Sequence, residues 1–224
     1  MKQETTNLQE DILNWGGLEI SWDKLDSPKS SDNAILLIHG FGANKEHWRH
    51  NKIIISQKKT CYAIDLIGFG KSSQPNAKLS GEDSNPGDFV YNFDAWANQI
   101  VYFCREVIKK PVILIGNSIG GVIALRASQI LEDQCLSIIL IDCAQRTMDD
   151  KRIKEQNIIL QWLRPSIKKL IRNRILSRSL FRNAANTRVI KTVLKQAYPS
   201  NNNVDGSNCF TFKTFSKGRS LGIF

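Results

Sequence analysis

The clearest chemistry in this chain belongs to a serine set between glycines at fixed spacing. Gly116-Asn117-Ser118-Ile119-Gly120-Gly121 matches G-x-S-x-G, with an apolar run, Val112–Ile115, before it and a stretch of helical character, Ile119–Leu131, after it. That context predicts a tight strand-to-helix turn with Ser118 at its apex. Gly116 and Gly120 let the backbone fold sharply, and Gly121 lets the helix pack close to the sheet. The N–H groups at the helix start favour negative charge beside the serine. Ser118 is therefore the candidate nucleophile. Attack on an acyl carbonyl turns its oxygen into an oxyanion, which needs two N–H donors. One is expected from Ile119. The other is expected from Phe41 in His39-Gly40-Phe41-Gly42, which follows a second apolar run, Ala34–Ile38. Gly40 and Gly42 leave room for substrate to approach the backbone. His39 is expected to hold this loop by hydrogen bonds rather than to act as a base.

A serine hydroxyl is a poor nucleophile until a base takes its proton. The three histidines, His39, His47 and His50, all precede Ser118. Asp142 closes the last recognisable strand, and two readings stand for it: the acid of a triad, or a cap that braces the turn. Gly68-Phe69-Gly70-Lys71-Ser72 has the look of a phosphate loop, but that pattern needs glycine where Asp65 stands. A structural turn is expected there. No His, Cys and carboxylate cluster has ligand spacing, so neither metal nor cofactor is expected. The five cysteines are odd in number, form no CxxC pair and lie mostly in or beside apolar runs. That pattern fits reduced thiols in a cytoplasmic protein.

The elements that must carry these residues follow from hydrophobic patterning. Ala34–Ile38, Thr60–Ile64, Val112–Ile115 and Leu136–Ile141 are continuous apolar runs, as expected of strands buried on both faces. Leu18–Trp22 alternates and reads as an edge strand. Phe93, Trp96, Ile100, Phe103, Val107 and Ile108 recur at helical spacing, with Asn92 as N-cap and Pro111 marking the stop. Lys78–Asp88 reads as a surface loop. Strands alternating with helices predict an α/β fold, a mostly parallel sheet with helices on both faces.

Charge divides the chain. Of 31 basic and 21 acidic residues, residues 1–150 hold 15 and 19, whereas residues 151–200 hold 13 and one. The basic segment reads as helices only, with an apolar stripe at Leu163, Ile167, Leu170, Ile171 and Ile175. The expected organisation is an α/β core over 1–148, a helical cap segment over 149–200 and an irregular tail over 201–224. The favoured reading of the basic segment is a cap facing the site. Peripheral contact with an anionic surface through 151–200 is the other, with no nucleic acid as partner. No apolar run approaches the roughly 20 residues that cross a bilayer.

The chain resembles the α/β-hydrolase superfamily, specifically its cap-bearing serine hydrolases: C–C bond hydrolases, esterases and pheophytinase-like enzymes. His39-Gly40-Phe41-Gly42-Ala43, His47-Trp48-Arg49, Ala63–Ser72 and the serine turn carry that resemblance. It implies a small-molecule acyl substrate, an ester, thioester or related compound. It also implies an acid and a histidine on two strands beyond the cap. The family's last strands are expected to be missing, as in a chain shortened by a frameshift near Asp205, leaving Leu136–Ile141 as an exposed apolar edge. The expected function is a serine hydrolase impaired by the missing histidine. The alternative is a non-catalytic fragment or binding protein of the same fold.

Overall fold

The computed structural model describes residues 8–29, 31–77 and 88–143. Within them a six-stranded sheet forms in the order β1-β2-β4-β3-β5-β6. The strands are β1 (Leu8–Trp15), β2 (Leu18–Leu25), β3 (Ala34–Ile38), β4 (Cys61–Ile64), β5 (Val112–Asn117) and β6 (Cys135–Ile141). β3, β4, β5 and β6 run parallel, while β1 and β2 add an antiparallel hairpin through β4. The helices are α1 (Arg49–Ser56), α2 (Phe93–Phe103) and α3 (Ile119–Leu131).

The parallel register explains the continuous apolar runs. Ile35 lies opposite Cys61 and Ile113, and Leu37 opposite Ala63 and Ile115. Side chains alternate along a strand, so these six share one face. They pack there with Trp48 and with Ile55 of α1. The other face carries Leu36, Ile38, Ile64 and Leu114, all buried, and Tyr62, whose ring meets Trp22 and Phe103 of α2. Helices therefore cover both faces, as the alternation of elements predicts.

Two parts of the sequence reading need correction. Leu18–Trp22 is not an edge. It belongs to the longer β2, which pairs with β1 on one side and β4 on the other. The edge on this side is β1, which mixes polar and apolar residues out of period and is largely exposed, so it carries no clean alternation. Its signal is the Gly16-Gly17 pair, with φ of +58° and +85°, which fits the two-residue turn that joins twisted antiparallel strands. The second correction concerns residues 45–56, to which patterning assigned no element. They form a 3-10 turn, Lys45–Trp48, and α1. Both bury lysines: Lys45 and Lys52 are 1% and 3% exposed. Lys52 pairs with Asp23 at 2.5 Å, and Lys45 lies 3.8 Å from Asp65.

The helices that patterning predicted agree with the structure. Asn92 caps α2 by accepting the Ala95 N–H at 2.7 Å. A π turn, Cys104–Ile108, continues α2 and ends at left-handed Lys109, just before Pro111. α3 spans the expected Ile119–Leu131. Leu136–Ile141, read from its apolar run as a strand buried on both faces, is not covered: among the described residues β6 pairs with β5 alone, and Leu136, Ile139, Leu140 and Ile141 are exposed. The chain divides into two compact units after Cys143. The expected cap at 149–200 and tail at 201–224 lie outside the described residues, as do positions 78–87 of the expected loop.

Candidate active site

Ser118 stands between the end of β5 and the first residue of α3, with φ +53° and ψ −119°. For a residue with a side chain this is a costly conformation, of order 1–3 kcal/mol, and it persists only where surroundings impose it. Two hydrogen bonds and the close packing of the flanking glycines do so. The Ser118 N–H donates to the Ile141 carbonyl of β6 at 2.9 Å, and its carbonyl accepts the Gly121 N–H at 3.1 Å. The glycines on either side leave no space for a Cβ. One added at Gly116 would strike the Gly120 backbone, and one at Gly120 would lie 2.5 Å from the Ile38 carbonyl oxygen and 2.6 Å from that of His39. The start of α3 is thus pressed against the end of β3, from which the 39–45 loop departs. Ile119 is the first residue of α3, so its N–H belongs to the first turn, whose donors have no partner within the helix.

The loop after β3 comes directly against the serine. A Cβ at Gly40 would lie 3.2 Å from Ser118 Cβ and 3.1 Å from Asn117 Oδ1. Gly42, at φ +70°, lies in a tight turn in which the Ala43 N–H donates to the Gly40 carbonyl at 3.3 Å. Phe41, about half exposed, sets its ring edge-on to the buried Phe69 at 5.6 Å. The structure therefore brings Ser118, Ile119, Gly40, Phe41, Gly42, Gly116 and Gly120 into one neighbourhood. Asp142 lies just past β6 with φ +46° and is exposed. It follows the residue whose carbonyl takes the Ser118 N–H, so it borders the turn through the backbone.

His39 is wholly buried, with both ring nitrogens committed. Nε2 accepts the Leu66 N–H at 3.0 Å, so Nδ1 carries the proton and donates to the Gly40 carbonyl at 2.7 Å. Burial pushes its pKa down, with Asp65 opposing. A neutral imidazole fixed in this way is a structural strut, as the sequence suggested. His47, also held below the usual histidine range by burial, stands edge-on to Trp48, and His50 is exposed on α1. Among the described residues no imidazole hydrogen-bonds to Ser118.

Beneath the loop lies a polar cluster that sequence reading did not find. Asp65, at the end of β4, accepts the Lys45 N–H on Oδ1 at 2.6 Å and the Lys71 N–H on Oδ2 at 2.8 Å. Its carboxylate fills the cradle of the 65–72 turn so fully that a Cβ on Gly70 would overlap it. A turn already holding its own anion is not a phosphate site, in line with the structural reading of Gly68–Ser72. Gln99 of α2 spans the same turn, accepting from Ile67 N–H and donating to the Asp65 carbonyl, both at 2.9 Å. The three carboxylates of Glu10, Asp23 and Glu46 also draw oxygens within 4.8 Å of one another. Lys71 pairs with Glu10 and Lys52 with Asp23, so lysines already supply counter-charge there. Among the described residues no helix is long and apolar enough to cross a membrane.

Comparison with known proteins agrees with this fold. Human (lyso)-N-acylphosphatidylethanolamine lipase is 32% identical over 123 residues, 54% of this chain and 33% of the lipase. The chloroplastic pheophytinase of Arabidopsis thaliana is 33% identical over 122 residues, 46% of this chain and 24% of that enzyme. The match thus spans a third or less of these relatives' length. Among solved structures, a bacterial membrane phospholipase A superposes with a TM-score of 0.65 at 21% identity, covering 95% of this chain and 59% of the other. A thioesterase domain from the curacin biosynthetic pathway gives 0.56 at 20% identity, covering 93% and 67%. The family profile described as alpha/beta hydrolase fold matches residues 33–188, taking in β3, β4, β5, β6 and the serine turn, and the chain belongs to that family.

Proposed function

We propose that this chain carries the nucleophile and oxyanion half of a serine hydrolase for an ester, thioester or related small acyl substrate. The observation that supports it is Ser118 held at positive φ on the strand–helix corner with the Gly40 backbone against it. Ser118 Oγ bonds to the acyl carbon while the N–H groups of Phe41 and Ile119 receive the oxyanion. The hydroxyl proton passes to water, the ester C–O bond breaks, and the alcohol leaves with a proton from solvent. A second water then releases the acid. The relatives named as lipases favour acyl chemistry. Asp142 is retained as a candidate acid. Residues 149–200 are proposed as a helical cap segment, and the chain as a cytoplasmic protein.

With no histidine hydrogen-bonded to Ser118 among the described residues, turnover rests on oxyanion stabilisation and substrate positioning. In a comparable triad knock-out these leave a residual rate on the order of 10³–10⁴ over water. A fluorophosphonate probe tests the reading. Slow labelling of this chain, abolished in Ser118→Ala, is the expected result, and equal labelling of both proteins would overturn it. The second reading, a binding protein of the same fold, is favoured by the commitment of both His39 nitrogens. It requires acyl compounds to bind without any Ser118-dependent reaction.

A further inference from the structure

The loop that carries Phe41 is strung between two points of one turn. At its start, His39 Nε2 takes the Leu66 N–H. At its end, the Lys45 N–H goes to the Asp65 carboxylate. Both anchors belong to the 65–72 turn, so the turn sets where residues 40–44 lie. The second anchor has a further support. Asp65 is 1% exposed, and a buried carboxylate that accepts two backbone N–H groups is held more firmly when a cation lies beside it. Among the described residues, the cation within ion-pair distance is the Lys45 ammonium, 3.8 Å from Oδ2 and itself 1% exposed. Lys45 therefore acts twice on the same carboxylate, once through its backbone and once through its charge.

The ammonium is held in turn. Lys45 Nζ donates to Ser21 Oγ on β2 at 2.7 Å. The Ser21 N–H donates to Ser72 Oγ at 2.9 Å, and that hydroxyl donates to the Asp65 carbonyl at 2.7 Å. The Asp65 N–H returns to the Ser21 carbonyl at 2.8 Å. The ring Lys45–Ser21–Ser72–Asp65 is closed, fully buried, and joined to the site through five residues of loop. A solvated surface lysine needs no such ring.

We infer that Lys45 is a positioning residue, which sets the Phe41 N–H against the oxyanion by anchoring the far end of its loop on Asp65. The inference rests on the serine-hydrolase reading. It implies that loss of the ammonium weakens oxyanion binding in particular rather than substrate contact in general.

Sulfur separates the two. A thionoester places sulfur where the oxyanion forms, and sulfur accepts hydrogen bonds weakly, so its reaction draws little on the donors. The test measures Ser118-dependent acylation by a p-nitrophenyl ester and by its thiono analogue, in the full chain and in Lys45→Met, which keeps side-chain length and removes the charge. The ester rate is expected to fall about tenfold or more, with the thionoester rate nearly unchanged, so that their ratio narrows. Equal loss on both substrates makes Lys45 merely structural and overturns the inference. Ser21→Ala, which removes only the ammonium's hydroxyl partner, is the milder companion should Lys45→Met not fold. Its ratio is expected to narrow in the same direction, and an unchanged ratio in folded Ser21→Ala counts against the inference equally. Ester hydrolysis that persists in Ser118→Ala overturns the hydrolase reading itself, a result distinct from a Ser118-dependent rate whose ratio does not move.

Discussion

At the scale of single residues, the unexpected feature is how many charges this small core encloses. Asp23 illustrates the consequence. It is wholly buried on β2, and its carboxyl is pushed up to about 6 from an ordinary value of 3.8. Burial is the main cause, and the hydrogen bond from Lys52 offsets it only in part. The folded chain therefore binds this proton more tightly than the unfolded chain does. Asp23 contributes stability below pH 4, loses it as pH rises through 6, and adds no further change above that. The difference is on the order of 3 kcal/mol for two pKa units. Glu10 works in the other direction, since its bond to Lys71 holds its carboxyl below the usual range. A comparison with Asp23→Asn isolates the first effect. Urea unfolding at pH 4, 5, 6 and 7 should show the stability of the parent chain, relative to that variant, falling across the series. A relative stability that rises with pH would contradict the burial argument. None of this is visible in the linear sequence, because Lys45 and Lys52 become buried only through partners 20 and 29 positions away. The serine turn, by contrast, is legible because its requirements are local: small residues on both sides, an apolar strand before and a helix after.

At the scale of elements, legibility follows burial. β3, β4 and β5 lie inside the sheet with side chains covered on both faces, and their apolar runs announce them. β1 is a largely exposed edge of mixed polarity, and only its Gly16-Gly17 turn betrays it. α1 hides because its eight residues bury Lys52 and Ser56 while Ile53 and Ile54 are exposed, the reverse of an amphipathic helix. The most demanding contact between elements is that of α3 with β3 at Gly120. A Cβ there would meet two backbone carbonyl oxygens, Ile38 and His39, neither of which can rotate away. Gly120→Ala must push the start of α3 off the sheet and disturb the Ser118 corner with it. Overpacking of this kind costs about 1–3 kcal/mol. A lower denaturation midpoint with an unchanged denaturant slope is expected, together with slower fluorophosphonate labelling of Ser118. An unshifted midpoint would mean that helix and strand are less closely pressed than their backbones indicate.

At the scale of the molecule, the sheet is asymmetric. Its β1 side ends in a strand bearing Glu10 and Asp11, with Lys71 paired to Glu10, and edge charges of this kind discourage strand addition. Its β6 side is Cys135-Leu136-Ser137-Ile138-Ile139-Leu140-Ile141, seven residues without a charge. Ile139 and Ile141 are exposed on the face shared with Ile115, while Leu140 and Leu136 are exposed on the other. Among the described residues this is an uncharged, apolar edge, which is a template for association, and a single lysine on such a strand is the usual remedy. Ile139→Lys changes an exposed side chain two residues before Ile141 and leaves the backbone carbonyl that holds Ser118 unaltered. The variant should stay monodisperse in light scattering at concentrations where the parent chain forms larger species, with Ser118 labelled at the parent rate. Equal association by the two proteins would show that the β6 edge is not what brings molecules together, and the search would pass to the exposed Ile53 and Ile54 of α1.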